Sequence, residues 1–396
     1  MKIFNKNEWK KVKLGDICEV ITGNTPLKKI KEYWDKDEVP FITPPELKYE
    51  GINYITPNIY VSKIGAKQGR IIPKNSICVC CIGSLGKLGI LKEDAITNQQ
   101  INSLILKNKN VDLLYLYFYL KTIKNNLESI ATSTTVKIIN KSSFEKIDIN
   151  LPSLEIQKKI SKKLELLENN IDFRKRQLNY LKDLTKSLFT TMFGDIKTND
   201  KNWKIESLDN IYWIRSSKRV FEKDYKKDGI PFFRSKEVVG LSQSKNINPE
   251  IYISLDKYEE LKKISGIPLK DDLLVTAVGT IGKIWKVDYE KEFYFKDGNL
   301  IWLQLKKPHN FFNPLSLKKI LEEFLNKEKE NLSSGSAYNA LTIDKLKKFS
   351  IFIPPIELQK KFAERIEKIE KLSFEIEEAI KEAENLYNSL ISKYFD

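Results

Sequence analysis

The stretch LPSLEIQKKI at residues 151–160 is written again as IPPIELQKKF at residues 353–362. Pro152, Glu155, Gln157, Lys158 and Lys159 recur as Pro354, Glu357, Gln359, Lys360 and Lys361, four further positions exchange one apolar side chain for another, and only Ser153 against Pro355 changes character. That density of matches marks an internal duplication. The copying continues outward. Trp9-Lys10, Leu14 and Ile17 are echoed by Trp203-Lys204, Leu208 and Ile211 at an offset of 194, and Pro40-Phe41-Ile42 by Pro231-Phe232-Phe233. IGSLGKLGI from Ile82 is echoed by VGTIGKIWK from Val278. Serine, threonine and threonine at 133–135 parallel glycine, serine and alanine at 335–337 at the offset of 202 that holds to the C-terminus. The chain is one unit of about 200 residues written twice.

Each unit has two parts. The first, residues 1–150 and 196–350, carries short β-type runs (IYVSKI, SICVCCI, NSLILK, DLLVTAVG, NLIWLQL) between Gly, Pro, Asn and Asp turn residues. A helix is predicted inside each, at VDLLYLYFYLKTIKNNL and PLSLKKILEEFLNKEKENL, so a compact α/β or α+β domain is expected. The second part, residues 151–195 and 351–396, is different. No Pro or Gly occurs from Glu155 to Phe193, and Ile160, Leu164, Leu167, Ile171, Leu178, Leu181, Leu184, Leu188 and Met192 recur at three- and four-residue steps. Phe362, Ile366, Ile369, Ile376, Ile380, Ala383, Leu386, Leu390 and Tyr394 repeat the pattern. Prolines precede both runs, where a first turn tolerates them, and Gly194 ends the first. Two helices of about 39 residues are predicted, each roughly 58 Å long. A lone stripe on so long a helix needs a partner, and the other copy is the nearest one. The expectation is an antiparallel coiled-coil bar with a basic domain at each end and a pseudo-twofold axis between them; the alternative is a helix that caps its own domain.

The net charge of +15 suggests a polyanionic partner. It is carried by residues 1–150 (+8) and 201–350 (+7), whereas 151–200 (+3) and 351–396 (−3) cancel. A lysine-rich composition from an AT-rich genome is the plain alternative for the total. No apolar run approaches a membrane span and MKIFNKNEWKKV lacks a secretion signal, so the cytoplasm is expected. Of Cys18, Cys78, Cys80 and Cys81, three lie in SICVCCIG, which reads as a buried strand; the sole histidine, His309, stands far off, and no structural metal is expected.

Catalytic signatures are missing. Thr43-Pro44-Pro45-Glu46 lacks the amide and aromatic of a methyltransferase loop and reads as a turn. The loop GSLGKLG at 83–89 lacks the spacing and the hydroxyl of a P-loop. Glu46-Leu47-Lys48 has a nuclease-like spacing that is common in lysine-rich chains, and one histidine supports no Ser-His-Asp set. The chain is expected to be non-catalytic and to bind no cofactor.

Loops in both domains instead mix cations with amides and hydroxyls, the groups that contact phosphates and base edges. In the first domain these are Lys28, Lys29, Lys63, Lys67, Gln68, Arg70, Lys87, Asn98, Gln99, Gln100, Thr134, Thr135 and Lys137. In the second they are Arg215, Ser217, Lys218, Arg219, Arg234, Lys236, Lys245, Lys283, Lys296, Asn299, Ser336, Tyr338 and Asn339. ITGNTPLKKIKEYW bears little relation to IRSSKRVFEKDYKK, so two such domains would read different sequences.

The paired LPSLEIQKKI and IPPIELQKKF, the Trp-Lys starts and the GS/GT-x-GK loops together resemble the specificity subunit of type I restriction-modification enzymes, over essentially the whole chain. The resemblance implies two target recognition domains alternating with two helical regions, and a subunit without catalysis of its own. It implies that each domain contacts one half of an asymmetric bipartite site on double-stranded DNA. The helices would set the spacer and dock two methyltransferase subunits and, through them, restriction subunits. S-adenosylmethionine, ATP and magnesium would belong to those partners. A coiled-coil scaffold for protein partners, or the recognition chain of a solitary restriction enzyme, are the other classes.

Overall fold

The computed structural model describes residues 6–131, 136–243, 245–289, 291–306, 311–332 and 340–396. Thr134, Thr135, His309, Ser336, Tyr338 and Asn339 lie outside the described residues. The chain divides into two units, Met1–Gln177 with Ile376–Asp396, and Leu178–Glu375.

The first unit holds β1 (Lys10–Lys13), β2 (Cys18–Thr22), β3 (Val39–Ile42), β4 (Tyr60–Val61), β5 (Ile77–Cys80), β6 (Leu88–Ile90), β7 (Ile96–Thr97), β8 (Ile101–Leu106) and β9 (Asp148–Leu151). The second holds β10 (Lys204–Ser207), β11 (Tyr212–Arg215), β12 (Ile230–Phe233), β13 (Tyr252–Ile253), β14 (Leu273–Thr276), β15 (Ile284–Lys286), β16 (Tyr294–Phe295), β17 (Leu300–Leu305) and β18 (Ser350–Ile353). The two sets have one topology. Strand order β2-β8-β5-β6 is repeated as β11-β17-β14-β15, β4-β3-β7 as β13-β12-β16, and the pair β1-β9 as β10-β18. Registers correspond too, Cys18 facing Leu106 where Tyr212 faces Leu305. Among these strands pairing is antiparallel except between β3 and β7 and between β12 and β16; outside them, Tyr54 also bridges Ile90 in parallel. The cysteine-rich run is the fully buried β5, all four cysteines are buried and reduced, and burial pushes the thiols of Cys18, Cys78 and Cys81 up to about 12.

Two helices of 40 residues, Leu154–Phe193 and Ile356–Phe395, follow β9 and β18. Gly194, at φ +85°, adopts the left-handed conformation that ends the first. Helices Leu113–Thr122 and Pro314–Leu332 stand where the sequence predicts them, although the first breaks at Ile123 before a further helix, Lys124–Ile130.

The opening repeat now has a reason. Gln157 and Gln359 are buried. The Gln157 side chain donates back to the Pro152 carbonyl at 2.9 Å and to the Asn110 carbonyl at 3.0 Å, and accepts from the Asp112 amide at 2.8 Å. Asp112 in turn caps the helix Leu113–Thr122 by accepting from the Tyr115 amide. In the second copy Gln359 donates to the Pro354 carbonyl at 2.7 Å and accepts from the Asn313 amide at 2.9 Å, and Asn313 accepts from the Ser316 amide. One glutamine thus locks the start of a long helix to the cap of its domain's own helix. A buried amide is stable only with its partners in place, so proline, glutamine and their spacing recur together.

Within each unit the two long helices run antiparallel. In the first, Lys175 pairs with Glu384 at 2.8 Å, while Phe395, at the end of the second helix, meets Tyr115 and Tyr119 beside Ile160 and Leu164. In the second, Phe189 and Phe193 pack on Phe362, and Arg365 donates to Met192. The apolar stripe does not serve helix packing alone, as the sequence had it. Ile160, Leu164 and Leu390 belong to the first domain's core, and Phe362 and Ile366 to the second's. Ile171, Ile376 and Ile380 are buried, whereas Leu167, Leu178, Leu181, Leu188 and Ile369 are half-buried. Leu184 and Leu386 are exposed (45% and 51%). A helix end that leans on both a partner helix and a domain needs a wide apolar face; one that touches only a partner helix needs a narrow one.

Candidate nucleic-acid interface

In both domains the same three backbone segments meet at one end of the sheets. In the first, the exit of β2 approaches the segment after β7 so closely that a Cβ on Gly23 would stand 2.2 Å from the Thr97 carbonyl and 2.3 Å from that of Asn98. Only glycine fits there. Gly23 donates to the Ile101 carbonyl, Asn98 to the Ile42 carbonyl at the end of β3, and Cys81 to the Gln100 carbonyl. The loop after β5 joins this rim through Gly83, whose amide donates to the Lys137 carbonyl. In the second domain Lys296 donates to the Phe233 carbonyl, Ala277 to the Asn299 carbonyl, and the Ser217 hydroxyl to the Phe295 carbonyl at 2.7 Å.

The GS/GT-x-GK loops are hairpins with identical bonding. Gly86 donates to Cys80 and Cys80 to Lys87; Gly282 donates to Thr276 and Thr276 to Lys283. All four of their glycines, Gly83, Gly86, Gly279 and Gly282, lie at φ of 75° to 78°. A strand follows each loop where a P-loop has a helix, so there is no helix N-terminus to hold a phosphate.

Thr43 and Arg234 occupy one position, each capped by a buried glutamate three residues on. Glu46 accepts from the Thr43 amide and hydroxyl at 2.9 and 2.8 Å; Glu237 accepts from the Arg234 amide at 2.9 Å and its guanidinium at 2.7 Å. The turn expected at 43–46 is this capped 3-10 helix.

On this common frame stand different side chains. The first rim is rich in amides and hydroxyls. The Thr25 hydroxyl donates to Gln99 at 2.6 Å, Asn24 to the Gln68 carbonyl at 2.6 Å, and Arg70 to the Thr22 carbonyl at 2.6 Å, while Asn98 donates to Gln100 at 3.0 Å. Asn24 Oδ1 and Thr97 Oγ1 are buried with no hydrogen-bond partner. Gln68, Arg70, Asn98, Gln99 and Gln100 are therefore gathered at one place. Lys63 and Lys67 lie exposed on and after the short helix leading to Gln68, and Lys28 and Lys29 are exposed on the turn after the rim. Lys87 stands 5.6 Å over the Tyr49 ring, and Lys137 pairs with Glu128 at 2.9 Å.

The second rim is cationic. Ser217, Lys218, Lys296 and Asn299 come together, with Lys218 donating its amide to the Tyr294 hydroxyl at 2.9 Å; Arg219 follows Lys218 in the chain, exposed, and Lys283 is exposed on the adjoining loop. Other cations are engaged inside the chain. Arg215 lies 4.0 Å over the Trp302 ring and donates to Gln304, and Arg234 and Lys236 share Glu250, at 2.9 and 2.5 Å. Donation to the Glu237 carboxylate, outweighing burial, pushes the Arg234 guanidinium further up. Lys245 is exposed after helix Ser235–Leu241. Thr22, Asn24 and Thr25 were not singled out by residue type; their alignment against Ser216, Lys218 and Arg219 at the offset of 194 was the available signal.

Comparison with known proteins agrees with the duplication. The family model described as type I restriction modification DNA specificity domain matches residues 6–183 and again 200–384. The MjaIX specificity subunit of Methanocaldococcus jannaschii is 32% identical over 254 residues, which is 59% of this chain and 58% of that relative's length. The MjaVIII specificity subunit of the same organism is 27% identical over 92% of this chain and 87% of its own length. Among solved structures, the specificity subunit from M. genitalium superposes with a TM-score of 0.67 at 15% identity, over 100% of this chain and 98% of that one.

Proposed function

The chain belongs to the type I restriction modification DNA specificity family, and on that premise we propose that each of its two domains reads one half of an asymmetric bipartite site on double-stranded DNA. It is a specificity subunit that recognises DNA sequence with two domains. The rim of each domain is the reading surface. Amides and hydroxyls of the first suit adenine edges and sugar-phosphate oxygens, and the lysines and arginine of the second suit guanine and phosphate. The carrying observation is that one backbone frame recurs with unlike side chains at equivalent places on its rim, Asn24 and Asn98 in one copy against Lys218 and Lys296 in the other.

The chain performs no chemistry in this reading. Its long helices set the number of unread base pairs and dock two methyltransferase subunits, which use S-adenosylmethionine and, in the full assembly, carry ATP- and magnesium-dependent restriction subunits. The cytoplasm is where it works, and among the described residues no helix is long and apolar enough to cross a membrane. The test is single-molecule methylation mapping of cells with the chain present and absent. A bipartite adenine-methylated motif that disappears with the chain supports the reading; an unchanged methylation pattern refutes it.

A further inference from the structure

Beside each rim, at the same place in both copies, stands a large apolar side chain that the fold holds out of its core. In the first domain the chain passes from Thr25, anchored on Gln99, through the buried Pro26 to Leu27, which is 57% exposed. In the second it passes from Lys218, anchored on Tyr294, through the buried Val220 to Phe221, which is 54% exposed. Each then opens a hydrogen-bonded turn: the Leu27 carbonyl accepts from the Ile30 amide at 3.1 Å, and that of Phe221 from the Asp224 amide at 2.9 Å. The Trp34 indole also donates to the Leu27 carbonyl, at 3.3 Å. A buried residue before and a closed turn after leave the backbone at Leu27 and Phe221 little freedom, so the side chain is presented and not merely loose.

Single exposed apolar residues are ordinary on a protein surface. These two differ in three respects. They occupy the same place in both copies, although the surrounding loop sequences have diverged. They directly adjoin the polar rim. And exposed cations flank them: Lys28 and Lys29 follow Leu27, Lys218 and Arg219 precede Phe221, and the Arg219 guanidinium lies 5.4 Å over the Phe221 ring. An apolar tip between phosphate-seeking cations is the composition of a side chain that enters a base stack, because the cations hold the backbone while the tip exchanges water for base faces.

We propose that Leu27 and Phe221 are wedges, each inserting into the base stack of its own half-site and opening one step there. This rests on the half-site reading above. It assigns Leu27 and Phe221 to deformation of the duplex, with base identity left to the rims. A half-site whose step at that position unstacks easily, such as a pyrimidine-purine step, is then favoured without any hydrogen bond to it.

The test uses the complex with its methyltransferase subunits, on a duplex carrying the site found by methylation mapping. 2-Aminopurine is placed at each purine position of either half-site except the methylated adenine. The wedge predicts a fluorescence rise at one step per half-site. Phe221→Ala removes the rise in the second domain's half-site alone and weakens binding on the order of tenfold, Leu27→Ala does the same in the other half, and Phe221→Leu keeps the rise. Ile205→Ala, equally exposed on β10, leaves both rises in place. Unaltered thermal unfolding of the alanine variants shows that folding is intact. Specific binding by the unmodified complex with no rise at any position, or a rise that survives Phe221→Ala, overturns the wedge and spares the half-site reading. Absence of any sequence-specific binding overturns both.

Discussion

Gln157 accepts the amide of Asp112 at 2.8 Å across 45 residues of chain, and it does so from a fully buried position. Replacing it by leucine keeps the volume and strands three groups, the Asp112 amide and the carbonyls of Asn110 and Pro152. Gln157→Leu is expected to destabilise the first unit by about 3 kcal/mol, from a cost of about 1–3 kcal/mol per buried orphan. Gln359→Leu does the same to the second. Urea unfolding followed by fluorescence in each unit measures it.

The domain helix is also tied to the long helix by charge. Lys121 meets Glu168 at 2.5 Å, both side chains nearly buried, and Lys319 meets Glu370 at 2.9 Å. Glu168 and Glu370 are equivalent in the two copies, whereas the lysines come from different turns. Removing one partner leaves a buried charge, so Lys121→Met is expected to cost about 3–5 kcal/mol and the double variant with Glu168→Leu to recover most of it. A double-mutant cycle by chemical denaturation checks this.

Acid should weaken the second unit through Glu370. Burial pushes its carboxyl up, but Lys319 and then Lys318 outweigh that and hold it below its ordinary value. A lowered folded pKa means stability present above the unfolded value and lost as pH falls through the folded one. Denaturant midpoints should therefore drop below about pH 4, and less so in Glu370→Gln.

Alkali should act through the cysteines. The thiols of Cys18, Cys78 and Cys81 are pushed up to about 12 by burial. The unfolded chain loses their protons first, so stability declines above about pH 9, by about 1.4 kcal/mol per pH unit for each thiol. A thiol reagent at pH 8 should label these three only after denaturant is added.

Much of this was legible in the residues. The duplication, both long helices, the buried cysteine strand and the positions of the domain helices follow from apolar period, proline and glycine, which act locally. The role of Gln157 did not, since its partners lie 45 and 47 residues away and meet it only after folding. Arg215 and Arg234 show the converse: their residue type suits a base reader, but their engagement by Trp302 and Glu237 could be seen only once the chain was folded. Thr25 is inconspicuous by type and gains its place from Gln99 across the rim.

The most direct test changes one rim at a time. Methylation mapping is carried out in cells making the intact chain, a Thr25→Ala, Gln99→Ala variant, or a Lys218→Ala, Arg219→Ala variant. A duplicated reader predicts a two-part motif in which the first variant relaxes one half, the second relaxes the other, and the spacer stays constant. Relaxation of both halves by either variant, or an unchanged motif with both, would contradict it.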